Sequence, residues 1–249
     1  MAWKGQIKTR AIVVRGIDYS ESDRIITVLS EDAGRMTLLA RRARKPGNPF
    51  SAVSQFLCYS EFILNQGRDF PVIHAADVLE SFSGISLDMG RFMCASHCAE
   101  LALEIVRENQ PCENTLRLLL NALYLLSRGL REPEFIARVF EIRCMSEAGY
   151  EPVLNECAAC GREVCSEPYI FLAGKGGLAC KECAGICKEG IPLSSGAVKA
   201  IYHASRARLE SVFSFRMSAG VSGELKRLGS VYLPRHLGKE FVLFSGNEG

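Results

Sequence analysis

The sequence predicts an α+β chain of several domains: a small β-barrel, then a helical body with a four-cysteine metal module set inside it. Three observations carry that prediction. Alternating apolar residues and turn formers fill the first 80 or so residues, and helical spacing takes over beyond them. Two Cys-x2-Cys pairs then stand 19 residues apart. With 249 residues, 48% hydrophobic and 23% charged, the composition is that of a globular protein and excludes disorder or low-complexity scaffolding. The expected division is 1–82 for the barrel, 83–150 for the first helical part, 151–190 for the metal module and 191–249 for the remaining helices. Eleven cysteines are an odd number and too sparse for a disulfide scaffold. With neither a signal-peptide pattern nor a long apolar run, the expectation is a soluble, reduced, cytoplasmic protein without a membrane segment.

The runs Lys8–Arg15, Arg24–Ser30, Arg35–Arg42, Ala52–Leu64 and Pro71–Phe82 are rich in β-branched and aromatic residues and read as strands. Turn-prone stretches such as Glu31-Asp-Ala-Gly and Lys45-Pro-Gly-Asn-Pro separate them. Five short strands suggest a small barrel; the oligonucleotide-binding (OB) fold has five, but strand count alone does not single it out. Apolar residues recur at helical spacing in Leu87–Glu108, Thr115–Arg128 and Glu134–Ala148, with Pro133 placed to start the third helix and Gly149 to stop it. Ser194 or Ser195 can cap a helix running to about Leu209. A last helix starts near Ser222, and Pro234 is expected to break or kink it before Phe241-Val-Leu-Phe.

The strongest motif is the pair Cys157-Ala-Ala-Cys160-Gly and Cys180-Lys-Glu-Cys183. Each half can form a knuckle offering two thiolates, and the spacing falls in the window of four-cysteine zinc sites. With all four positions filled by protein, the ion, one Zn2+, would be structural. Gly161 and Gly185 would allow the knuckle turns, and Gly174, Gly176 and Gly177 a hairpin. A redox Cys-x2-Cys needs a strand-then-helix setting that neither pair has. Cys165 and Cys187 are spare thiols that could substitute. Cys94, His97 and Cys98 share one helix face at i, i+3 and i+4 but show no fourth ligand, so they read as core, as do Cys58, Cys112 and Cys144.

The net charge of +2 is unevenly spread. No acid occurs from Ala33 to Ser60, where Arg35, Arg41, Arg42, Arg44 and Lys45 fall. Such a run attracts phosphate backbones, or simply keeps a loop solvated. Phosphate-loop, dinucleotide, nucleophile-elbow and His-Glu-x2-His motifs are all missing. No catalytic residue is nominated, and a binder rather than an enzyme is expected. The enzymatic alternative is a nuclease using Asp18, Glu21 and Asp23 with magnesium.

Several stretches together resemble the RecO family of bacterial DNA repair and recombination mediators. They are Thr9-Arg-Ala-Ile-Val-Val-Arg15, Asp18-Tyr-Ser-Glu-Ser-Asp-Arg-Ile-Ile26, Gly34-Arg35 and Arg138-Val-Phe-Glu-Ile-Arg143. Ala148-Gly-Tyr-Glu-Pro152, the first cysteine pair and Tyr232-Leu-Pro-Arg-His-Leu-Gly-Lys239 complete the set in the family's order. The resemblance implies an OB barrel, a helical domain and an embedded zinc module. It also implies binding of single- and double-stranded DNA, strand annealing, and loading of the recombinase onto coated single strands. Its partners would be RecR and the acidic tail of single-stranded DNA-binding protein. In the basic loop, Arg41-Arg42 and two prolines stand where many relatives have Gly and Ser.

In such a barrel, cations follow the backbone while aromatic faces stack bases, at about 1–3 kcal/mol per base. The expected DNA-binding residues are Arg24, Arg35, Arg41, Arg42, Arg44 and Lys45, with Lys8 or Arg10 as further cations. Tyr19 and Phe50, both expected in turns, are the stacking candidates; Phe56 and Phe62 share a strand register and can fill the barrel instead. A second basic surface would use Arg206, Arg208, Arg227 and Arg235, for another DNA strand or an acidic peptide, or would be ordinary solvated helix. The alternative reading of the whole chain is a zinc-ribbon transcription or translation factor.

Overall fold

The computed structural model describes residues 5–164, 167–186 and 189–241, so Cys165, Cys187 and the apolar stretch 242–244 lie outside it. Strands β1 (Ile7–Asp18), β2 (Arg24–Ser30), β3 (Gly34–Ala40), β4 (Tyr59–Asn65) and β5 (Val72–Glu80) close into a barrel in the order β1-β2-β3-β5-β4. This is an OB-like barrel. Its twelve-residue first strand serves two neighbours: Ala11–Asp18 pairs with β2 and Ile7–Ile12 with β4, the register shifting between Val13 and Arg15. Parallel pairing of Leu39 with Val72 closes the circle. Alternation turns Ala11, Val13, Ile26, Val28, Leu38, Phe62 and Leu64 inward. Ile12, Val14 and Leu29, on the other face, join a second and larger core with the helices. The same strands therefore fill the barrel and fasten it to the helical body.

The run Ala52–Leu64, predicted as one strand, divides in two. Phe50–Val53 forms a one-turn helix, α1, and Leu57 takes a left-handed φ of 64° before β4 begins. Val53 is buried in the barrel core, so this segment fills space there as a helical turn. Four residues are too few for a helical period to show. Phe62 is inside the barrel as expected, but Phe56 faces away and meets Phe92 edge-on at 6.1 Å.

The helical body contains α2 (Met89–Ile105), α3 (Glu113–Arg128) and α4 (Pro133–Glu147), then α6 (Ser195–Arg206) and α7 (Ala219–Leu237). Ser194 caps α6 by accepting from the Ala197 N–H, as the sequence suggests, and Pro133 opens α4; Asp88 caps α2 through Arg91 and Ser218 caps α7 through Val221, while α3 and α4 start without a side-chain cap. Helix α7 begins three residues before Ser222 and continues through Pro234, ending at Gly238 with φ 66°. Pro234 therefore does not end the helix; it removes one N–H bond in the last turn. Between α4 and α6 the chain builds a sheet of β6 (Tyr169–Leu172), β7 (Gly177–Ala179) and β8 (Gly190–Leu193), in the order β7-β6-β8, with a short α5 (Lys181–Ile186). Phe171 of this sheet packs edge-on against Tyr232 of α7 at 5.5 Å.

Candidate nucleic-acid interface and metal centre

The first cysteine knuckle is shaped by its backbone. Gly161, at φ 76°, donates its N–H to the Cys157 carbonyl at 2.8 Å, and the Cys157 N–H donates to Arg162 O at 2.6 Å. Ala158 N–H reaches Leu178 O at 2.8 Å, tying this knuckle to β7. In the second, Ala184 N–H donates to Cys180 O at 2.9 Å as α5 begins; Gly185 lies inside that helix and supplies no left-handed turn. An Arg162–Glu182 ion pair at 2.5 Å joins the two.

The four sulfurs of Cys157, Cys160, Cys180 and Cys183 lie within 4.8 Å of one another and could hold a metal ion. Cys157 is buried and Cys160 exposed. Burial acts to raise the Cys157 thiol, yet the backbone N–H groups of Cys180, Ala159 and Cys160 and the Cys160 side chain outweigh it and bring it to about 6. Hydrogen bonds with Cys160, Cys180 and Cys157 push Cys183 up to about 12. A cation held by the four sulfurs would displace the protons that they carry.

On the barrel, loop 41–49 is tied to the β1–β2 turn. Arg42 N–H donates to Asp23 Oδ1 at 2.9 Å and Arg44 N–H to Ser22 O at 3.0 Å. The first of these bonds holds the Asp23 carboxyl below its ordinary range. Ala43 is buried in the barrel core, so Arg41-Arg42 and Arg44-Lys45 flank an anchored residue. Asp18 takes both Arg24, at 3.1 Å, and Arg44, at 3.2 Å. Arg35 meets Glu108 at 3.5 Å, and Lys8 and Arg10 share Glu61. That leaves Arg41, Arg42 and Lys45 exposed and without an ion pair among the described residues, beside Tyr19, which is 61% exposed. Phe50 is placed differently from expectation: it opens α1 and packs half-buried against the barrel core.

The four C-terminal basic residues divide in the same way, two matched and two not. Arg206 pairs with Glu151 at 2.6 Å and covers the Tyr202 ring, and Arg235 pairs with Glu189 at 3.3 Å. Arg208 and Arg227 are exposed without an ion pair among the described residues. Two of the three carboxylates of the nuclease alternative are engaged locally, Asp18 by arginines and Asp23 by the loop backbone, and Glu21 is exposed. Among the described residues, the only group of metal-ligating side chains close enough to hold an ion is the cysteine cluster.

Sequence reasoning missed a buried charge network. Glu141 of α4, 3% exposed, lies 2.8 Å from His97 Nε2 on α2 and 3.0 Å from the wholly buried Arg138. Helix α7 approaches so closely that a Cβ on Gly229 would stand 2.9 Å from Glu141 Oε2. Two opposite charges at i and i+3 within an otherwise apolar helix face were the available signal.

Known families match in two adjacent parts. The model described as Recombination protein O N terminal matches residues 1–82, and that described as Recombination protein O C terminal matches residues 86–242. The chain belongs to the RecO family. It is similar to the DNA repair protein RecO of Acetivibrio thermocellus, with 38% identity over 236 residues, 95% of this chain and 94% of the relative. The DNA repair protein RecO of Desulforamulus reducens is 33% identical over 233 residues, 94% of this chain and 90% of the relative. That of Anaeromyxobacter sp. strain K is 33% identical over 239 residues, 95% of this chain and 94% of the relative. The two RecO-family matches meet at residues 83–85, where a 3-10 turn joins the barrel to α2. No helix among the described residues is long and apolar enough to cross a membrane.

Proposed function

We propose that this RecO-family chain is a non-catalytic mediator of DNA repair, working with DNA in the cytoplasm. It binds single and double strands, anneals complementary ones and helps load a recombinase onto coated single strands. The observation that carries the reading is the closed OB-like barrel presenting Arg41, Arg42 and Lys45, unmatched by acids, beside exposed Tyr19. Annealing needs no catalytic group: cations that neutralise two phosphate backbones lower their repulsion and leave base pairing to decide. RecR and the acidic tail of single-stranded DNA-binding protein enter as family partners, with Arg208 and Arg227 the cations most available to an acidic tail. The division at residues 82, 150 and 190 belongs to the same proposal.

Zinc is the ion this reading assigns to the cysteines. Sulfurs at a Zn–S distance of about 2.3 Å stand about 3.8 Å apart in a tetrahedron, and Cys160 and Cys180 are 3.8 Å apart. Its part is structural, holding two knuckles together. The test is fluorescence-monitored annealing of complementary strands without ATP, over a salt series. Acceleration is expected, and three phosphate contacts give log affinity for a single strand a slope of about −2 against log salt. Metal-loaded, folded protein that neither anneals nor binds DNA at low salt overturns the reading.

A further inference from the structure

The thiols of this chain differ in how far solvent reaches them. Among the described residues, Cys58, Cys94, Cys98, Cys144 and Cys157 are buried. Cys112 is half-buried, donates its thiol to Ser30 O at 3.1 Å, and is pushed up to about 11 by burial. The accessible remainder, Cys160, Cys180 and Cys183, all belong to the sulfur cluster, and of these Cys160 is the exposed one. One strand places two of them. Cys180 follows β7 directly and stands before α5, a strand-then-helix setting that the sequence did not suggest. The first knuckle hangs on the same strand, because Ala158 N–H donates to Leu178 O at 2.8 Å. The Arg162–Glu182 ion pair bridges the two knuckles again. The sulfurs of Cys160 and Cys180 consequently face each other at 3.8 Å, against about 2.05 Å in a disulfide. Cys157 is a poorer partner for Cys160: it is buried, and its N–H and C=O are both held, by Arg162 O and Gly161 N–H.

We propose that Cys160 and Cys180 are a site of oxidation by hydroperoxides, and that their disulfide withdraws two of the four ligands and releases the ion. This rests on the metal reading and deepens it. The exposed Cys160 thiolate attacks hydrogen peroxide: an S–O bond forms, the O–O bond breaks and hydroxide leaves, so the sulfur is oxidised to a sulfenic acid and the peroxide is reduced. The Cys180 thiolate then attacks that sulfur; the S–S bond forms, the S–O bond breaks and a second hydroxide leaves. Counted from the two thiols, whose protons the hydroxides take up, one peroxide gives one disulfide and two waters. A structural zinc ion needs four protein ligands, and two sulfurs do not hold it. The bonds of Val153 and Ala158 to the β7 hairpin and the β7-β6-β8 ladder involve no sulfur, so the change stops at the knuckles. A thiol reductant reverses it.

The test treats the full, zinc-loaded chain with hydrogen peroxide and follows three signals. They are ion release to a chromophoric chelator, disulfides by peptide mapping without reduction, and far-ultraviolet circular dichroism. About one ion is expected to leave per Cys160–Cys180 bridge formed, with the dichroism unchanged and the buried Cys58, Cys94, Cys98 and Cys144 still reduced. Dithiothreitol with added zinc should restore the loaded form. A bridge within either knuckle or through Cys165 or Cys187, oxidation of Cys160 without a bridge, a disulfide-linked dimer, or full retention of the ion overturns the proposal. Loss of the helical signal on oxidation overturns its local, reversible character. If the purified chain takes up no zinc, the metal reading falls by itself, and mapping of the metal-free chain still decides the pair. Because a ligand variant loses metal in any case, Cys160→Ser is compared with metal-free wild type. Its remaining thiols should consume peroxide about tenfold more slowly, and equal rates would show that Cys160 is not the sulfur attacked.

Discussion

Two groups of cysteines in this chain meet opposite surroundings. At Cys157, backbone N–H groups converge on the sulfur and lower its proton affinity despite burial. At Cys98 and Cys144 in the helical body, burial among apolar side chains raises the thiols well above their ordinary range, and nearby Glu141 adds to it. Cys157, Cys98 and Cys144 are all buried; what differs is whether burial brings donors with it. A thiol wrapped in backbone amides is suited to hold a metal ion, and one wrapped in side chains becomes a small core residue.

The contrast can be broken most directly at the ligands. Cys157→Ser and Cys180→Ser should each reduce bound metal from about one ion per chain to nearly none by atomic absorption, and expose Arg162 and Lys181 to trypsin. Full metal content in either variant would refute the assignment. Thiol chemistry sharpens the comparison next. In chelator-treated, still folded protein, iodoacetamide should modify exposed Cys160 at least a hundredfold faster than Cys98 or Cys144, which react only on unfolding; equal rates by mass spectrometry would contradict the buried placement. Third comes the network beside the core thiols. Glu141→Ala should cost about 3–5 kcal/mol in denaturant unfolding, because it removes the carboxylate facing buried Arg138 and His97; a loss under about 1 kcal/mol would show the pair is not buried as described. The smallest effect belongs to Cys144→Ala, about 1 kcal/mol with metal content unchanged.

What could be read from the sequence follows how local each signal is. The Cys-x2-Cys spacing names its chemistry within four residues, and the strand runs 24–30 and 35–42 announced β2 and β3 nearly to the residue. Helix α1 escaped because Phe50-Ser-Ala-Val is shorter than any period it might show. Phe50 went with it, read as an accessible turn residue when the fold needed it against the barrel core. Which cations stay unmatched depends on Asp18 and Glu108, which come together with Arg24, Arg44 and Arg35 only when the chain folds. Glu141 reads as a surface charge until α2 and α7 close over it.

The sheet beneath the cysteines has one more consequence. Val153 N–H donates to Gly176 O at 2.9 Å and Leu178 N–H to Val153 O at 2.8 Å, while β6 pairs with β8 across Tyr169–Leu193. These bonds, with Ala158 N–H to Leu178 O, tie the first knuckle to the strand before the second through backbone alone, so the ligands need not bear all of the loop's closure entropy. The four sulfurs then act as a chelator assembled in advance, at high effective concentration for one another. Cut out of the chain and freed from α7, the same forty residues should grip the ion more weakly, although every ligand would still be present.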